Sequence, residues 1–422
     1  MSVAEAVGTA AEPPKVGASY MRLVVLAALG VQMALVTPIA ISLAIRLEQI
    51  APGREEYLGY ITGAGSAAAV LSGPVFGVLS DRARTRWGRR RPFLVWGAAG
   101  GTAALLVLAA APGVLLLGCG WVLMYLTWGV AGTLLVASQA DRVPVSQRGR
   151  ISGFGGFVAM LAPILGAVVA GNLSGDPYLL FLVPGALGMA GLLLFVWRVG
   201  EPDARDLPAP GPLTVRELAG KYLFDVRRHP DFAWNLLGRF LFVCGLTLST
   251  AFTAYFLAWR LEVPVDEAAG PVAVLGGVGV LAAMAGALGS GYASDLLGRR
   301  LPLAAASAVL FAAGATVMAA APDLPAIVAG SALCNLGIGA FSAIDQAIAL
   351  DLVPDRETDA GRYMAIYTLS NSAAHAVAPF AATVVLTAGA SAGEKNYPLL
   401  YLAAGVFTVA GGAVLFRIKS IR

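Results

Sequence analysis

The chain has 422 residues, 58% hydrophobic and only 13% charged, with a mean hydropathy of +0.76. A soluble globular domain carries about 25% charged residues, so this composition excludes a polar-coated globule and leaves most of the surface facing lipid. The formal net charge of +4 does not point to nucleic acid, because the basic residues gather at the ends of apolar runs, where they set membrane topology.

Residues 1–19 are small and polar and include Pro13 and Pro14; they read as a disordered cytoplasmic tail. The first apolar run, 21–45, would be ~37 Å long as a helix, too long for a signal peptide and long enough to span. Further runs able to cross ~30 Å of hydrocarbon lie at 57–79, 92–111, 114–137, 151–172 and 178–198. A second set follows at 233–259, 270–293, 301–320, 325–350, 364–388 and 397–417. The sequence therefore predicts an all-α membrane protein with twelve transmembrane helices.

The stretch Gly73 to Pro92 joins the second and third runs and holds six arginines, Arg82, Arg84, Arg86, Arg89, Arg90 and Arg91, after Asp81. A segment this basic between two spans reads as a cytoplasmic loop. The same design recurs at Gly289 to Pro302, with Asp295, Gly298, Arg299 and Arg300. Gly88 and Gly298, Asp141 and Asp351, and Pro144 and Pro354 are each 210 positions apart. The chain is thus expected to be a tandem repeat of two six-helix bundles, residues 20–198 and 233–417, an arrangement known in secondary transporters. With both termini in the cytoplasm, Arg46, Arg54, Arg260 and Lys395 are the four of the 29 Lys and Arg that fall outside, so the positive charge lies inside.

Residues 199–232 form a Pro-rich, charged linker between the bundles, and 418–422 are a short cytoplasmic tail after the second. Within the linker Val215, Leu218, Tyr222 and Val226 recur at helical spacing. They leave two readings open, an amphipathic helix on the membrane surface or a plain connector. Cys119, Cys244 and Cys334 lie inside apolar runs, with no disulfide or metal-ligand spacing.

The two basic loops carry a resemblance. Gly291-Tyr-Ala-Ser-Asp295-Leu-Leu-Gly298-Arg299-Arg300 is similar to the Gly-x-x-x-Asp-x-x-Gly-Arg-Arg loop of the major facilitator superfamily. The expanded first copy, VQMALVTP in the first run and AIDQAIALDLVP in the tenth resemble the branch of sucrose-transporter-like and glycoside:cation symporters. The resemblance implies the major facilitator fold and import of a sugar with protons or sodium by alternating access. The chain departs from that branch in having no histidine after the first run and no arginine within the fourth. Ala162 to Gly166, APILG, is a partial likeness to the Gly-Pro motif of proton-antiporting exporters, which keeps export of a drug or metabolite as an alternative. A membrane sensor or scaffold that does not transport is a further one.

Two sets of residues are candidates for the chemistry. Asp81 and Asp295, with Arg82, Gly88, Arg89, Arg90, Gly298, Arg299 and Arg300, are expected to latch onto the positive starts of the eleventh and fifth helices. Arg362 and Arg150 stand at those starts. The plainer reading is topology alone. Within the membrane, Arg239 and Asp345 both lie ~9–10 Å from the cytoplasmic edge and are expected to pair in a cavity, Asp345 taking up protons, or else to form a static pair closing its inner end. His375, ~17 Å deep, shares a stripe with Asn371 and Thr368. Asn335, Gln346, Gln32, Tyr125, Trp128 and Gln139 are further cavity candidates, the last three reckoned to share one face. Aromatic faces beside amides suit a sugar ring. No nucleotide-binding or metalloenzyme motif occurs. The expected energy source is an ion gradient and the expected partners are a small solute and the lipid of the cell inner membrane, with no cofactor, no nucleic acid and a monomeric state.

Overall fold

A computed structural model describes residues 14–206, 224–353, 360–389 and 395–420. Among them, twelve helices are long and apolar enough to cross a membrane. They are α1 (Ala18–Ile50), α2 (Glu56–Arg82), α3 (Arg91–Ala110), α4 (Val114–Arg142), α5 (Val145–Asn172) and α6 (Pro177–Arg198) in the first half. The second half has α7 (Pro230–Ala251, resumed after Phe252 as Thr253–Leu261), α8 (Ala269–Leu297), α9 (Arg300–Ala320), α10 (Leu324–Leu352), α11 (Ala360–Thr387) and α12 (Tyr397–Leu415). No strand occurs among the described residues. A helix satisfies its own backbone, as a span in hydrocarbon must. An even number of crossings puts both ends of the chain on one face, here the terminal face; the opposite one is the far face.

Local chemistry sets the helix starts. Asp176, Asp323 and Asn396 accept backbone N–H bonds at the beginnings of α6, α10 and α12, and each of these helices has a proline in its first two positions, where the missing N–H is no loss. Four helices run three to five residues past the apolar runs that announced them: α1 to Ile50, α2 to Arg82, past Asp81, α4 to Arg142, and α8 to Leu297, past Asp295. Charged residues end the apolar runs, yet intrahelical hydrogen bonds carry on. Much of the expected amphipathic helix, residues 207–223, lies outside the described residues.

Each half closes by backbone-to-backbone contact of small residues, the usual cement of membrane bundles. A Cβ at Gly30 of α1 would sit 2.8 Å from the carbonyl oxygen of Leu187 in α6, and one at Gly238 of α7 would sit 3.0 Å from that of Gly411 in α12. Two helices contain a π turn, Pro38–Ser42 in α1 and Tyr125–Gly129 in α4.

The halves meet along a seam of α2 with α11 and α5 with α8, and the seam is closed at the far face. Lys395 pairs with Glu56 at 2.5 Å, Tyr397 bonds Glu55, Thr383 donates to the Glu56 carbonyl and Tyr255 donates to the Ala44 carbonyl at 3.0 Å. Gly59 and Gly63 of α2 lie hard against Thr383, Pro379 and Phe380 of α11. Toward the terminal face, Gly73 and Gly77 of α2, Gly153 and Gly156 of α5 and Gly289 and Gly291 of α8 have nothing within 4 Å of where a Cβ would stand. The bundles are therefore apart at the terminal end of the seam.

Candidate functional site

The arginine and the aspartate that the sequence placed at matched depth do meet. Arg239 of α7 donates one guanidinium nitrogen to Asp345 Oδ2 of α10 and to the Tyr367 hydroxyl of α11. Tyr367 in turn donates to Asp345 Oδ2 at 2.6 Å, and the Arg239 guanidinium lies 3.9 Å from the centroid of the Tyr367 ring. A second guanidinium nitrogen reaches Asn371 Oδ1 at 3.4 Å. Asp345 is fully buried, while the Arg239 side chain keeps 18% of its surface open. Two polar atoms in this knot have no partner among the described residues, Asp345 Oδ1 and Arg239 Nε. An ionised carboxylate in such a place is held by its cation, and removing either partner strands the other.

Two turns along α7, Thr247 Oγ1 lies 3.0 Å from His375 Nδ1 of α11. Arg239, Asp345, Asn371 and His375 thus line one strip between α7, α10 and α11, and Tyr367 and Thr247 complete it. Tyr367 is the residue that sequence reasoning passed over. It stands four positions before Asn371, hence on the same helical face, so periodicity could have found it.

The remaining candidates sit elsewhere. Asn335 is turned toward Gly279 of α8 and spends its amide on the Ser331 carbonyl one turn back, at 2.9 Å. Gln346, next to buried Asp345, is exposed; Gln32 and Gln139 are half-buried. Trp128 is fully buried and walled by Gly101 of α3 and Gly188 of α6, so it packs the first bundle and is not open to a solute here. The face expected of Tyr125, Trp128 and Gln139 is broken by the π turn at Tyr125–Gly129, which puts one extra residue into a turn. Tyr125 instead fits against Gly65 of α2.

The basic loops also differ from expectation. Asp81 does not engage the start of α11; it pairs with Arg90 at 2.8 Å, within its own bundle. Arg90 is almost buried and also donates to Asp141 at 3.1 Å and to Ser80 Oγ at 2.7 Å. Asp295 is exposed and makes no ion pair among the described residues, Arg82, Arg89 and Arg299 line the loops, and Arg150 lies over the Phe154 ring. Arg362 is exposed. The physical reason is the parted terminal end of the seam, which leaves Asp81 to find a cation in its own half and Asp295 exposed. Arg300 bonds Asp351 just as Arg90 bonds Asp141. Glu201, after α6, accepts from the Arg90 and Arg91 backbone N–H groups at the start of α3. A Cβ at Gly88 (φ +93°) would come within 2.3 Å of that carboxylate. Gly298, at φ +59°, ends α8 in the left-handed region.

A family model described as MFS/sugar transport protein matches residues 26–411. The chain belongs to the major facilitator family of sugar transport proteins. The fold agrees with solved structures of other members. Against a variant of the nucleoside transporter NupG the TM-score is 0.76 at 13% identity, covering 95% of this chain and 100% of that one. Against a D-xylose–proton symporter it is 0.72 at 16% identity, covering 96% and 98%. The general alpha-glucoside permease of Schizosaccharomyces pombe is 40% identical over 63 residues, which span 15% of this chain and 11% of that permease. As a member of the major facilitator family, the protein is a multi-pass membrane protein and a secondary transporter.

Proposed function

We propose that this transporter moves a sugar or glycoside into the cell together with protons, as a monomer in the inner membrane with both termini cytoplasmic. The observation that carries the reading is Asp345, buried with one oxygen gripped by Arg239 and Tyr367 and the other without a partner among the described residues. A proton taken up there cancels the charge that holds Arg239 and frees its guanidinium for the hydroxyls of a sugar. Asn371, Thr247 and His375 add further hydrogen-bonding groups along the same strip. The inward bias of the Lys and Arg residues supports the sidedness. On that sidedness the parted terminal end of the seam is the cytoplasmic opening, and the conformation is inward-facing.

The test is uptake of labelled sugars into proteoliposomes under a pH gradient imposed in either direction, with a sodium gradient as the competing drive. Inward protons should drive accumulation. Asp345→Asn should abolish accumulation yet keep exchange of sugar for sugar, because the path survives while the proton site does not. Accumulation that survives in Asp345→Asn removes Asp345 as the proton carrier. Sugar efflux driven by inward protons replaces import with export.

A further inference from the structure

The far-face seal contains an acid that its cations do not serve. Glu55 and Glu56 stand side by side at the start of α2. Lys395, before α12, pairs with Glu56 at 2.5 Å, and Arg54 also turns to Glu56, at 3.4 Å. Glu55 has no cation pair among the described residues; its partner is the Tyr397 hydroxyl of α12, in the other bundle. The groups facing Glu55 make matters worse for a negative charge. Glu48 at the end of α1 and Glu56 on its own helix are acidic, Tyr255 of α7 and Tyr397 are neutral phenols, and Lys395 is already engaged.

We infer that Glu55 is a proton-binding site of the far gate: the gate closes with a proton on Glu55 and opens when that proton leaves. Closing presses the carboxyl into the seam between α2 and α12, where an ionised group beside two other carboxylates, with Lys395 and Arg54 both turned to Glu56, is unfavourable. Opening returns it to water. Burial accordingly holds the Glu55 carboxyl above the ordinary carboxylate range in the closed seam. The sign follows from linkage. A group that binds its proton more tightly when closed stabilises the closed gate fully at pH below its ordinary value, and loses that contribution as pH rises through the raised one. The proton never enters the central path, so this site is distinct from Asp345, and it stands whether or not the cargo is a sugar.

Spin labels on the two bundles at the far face read the gate directly. Pro112→Cys, between α3 and α4, and Pro322→Cys, between α9 and α10, are exposed positions, and Cys119→Ser removes the one exposed native thiol. In full-length protein in nanodiscs, where pH is equal on both faces, the short inter-label distance should dominate at acid pH. The long one should grow as pH rises. Glu55→Gln should stay short throughout. Glu56→Gln, which breaks the Lys395 pair and removes an acid beside Glu55, should weaken closure several-fold and move the midpoint down. Tyr397→Phe should move the midpoint up, since the hydroxyl also serves the ionised carboxylate. The same pH response in Glu55→Gln as in the parent, or no response in the parent, overturns the proposal. Loss of the response in Asp345→Asn but not in Glu55→Gln reassigns the proton to the central site.

Discussion

Arg90 donates to Asp141 at 3.1 Å, tying the start of α3 to the end of α4, and 210 positions later Arg300 makes the same contact with Asp351 between α9 and α10. The two copies are not equally loaded. Arg90 is 9% exposed and also serves Asp81 and Ser80, whereas Arg300 is 29% exposed. Arg90→Ala should therefore cost about 2–3 kcal/mol and Arg300→Ala about 1 kcal/mol or less. Apparent Tm in detergent reads the order, and Arg90→Lys should not rescue, because a point charge cannot replace a fork serving three acceptors. Equal losses at the two sites would contradict the difference in burial.

The Arg239–Asp345 pair yields a double-mutant expectation. Arg239→Leu strands a buried carboxylate and should lower stability by about 3–5 kcal/mol; adding Asp345→Leu should recover most of it. Thermal unfolding of the four proteins, wild type included, gives the coupling directly. Additive losses would mean that the two side chains do not depend on each other.

Gly59 and Gly77 lie on one helix, yet only the first is packed. A Cβ at Gly59 would meet Thr383 Oγ1 at 2.0 Å and the Pro379 carbonyl at 2.6 Å, while one at Gly77 meets nothing within 4 Å. Gly59→Ala should thus disfavour this conformation by about 1–3 kcal/mol, and Gly77→Ala should leave it unchanged. Thiol labelling of Thr383→Cys, buried in the closed seam, should accelerate roughly in proportion in the first variant and not in the second.

Trp128 should behave as a packing residue. Trp128→Ala is expected to lower stability by about 3–5 kcal/mol, and Gly101→Ala, whose Cβ would stand 2.4 Å from the indole, to lower it as well. Neither should alter the pH dependence of transport. A changed pH profile in a variant of normal stability would return the indole to the transport path.

The fold was largely legible because hydrocarbon permits few solutions: twelve apolar runs, two arginine loops and a fixed repeat led to the twelve helices seen. Part of the candidate site was legible for the same reason. Arg239 and Asp345 are the charges that hydrocarbon does not tolerate singly, and matched depth was enough to pair them. What was not legible was anything that depends on the conformational state or on helix phase. The partners of Asp81 changed because one end of the seam is parted, a property of the state and not of the residues. The grouping of Trp128 with Gln139 failed because an α period was assumed through Tyr125–Gly129. Glu55 went unnoticed because its meaning lies in Tyr397, far along the chain.

The π turn in α4 has a practical consequence for anyone who maps this helix by substitution. One surplus residue offsets the angular count by about 100°, so a wheel drawn through Val114–Arg142 as a single cylinder will assign labels to the wrong quadrant on one side of it. Probes placed before Tyr125 and probes placed after Gly129 need separate origins, and only then will their reactivities trace one continuous wall.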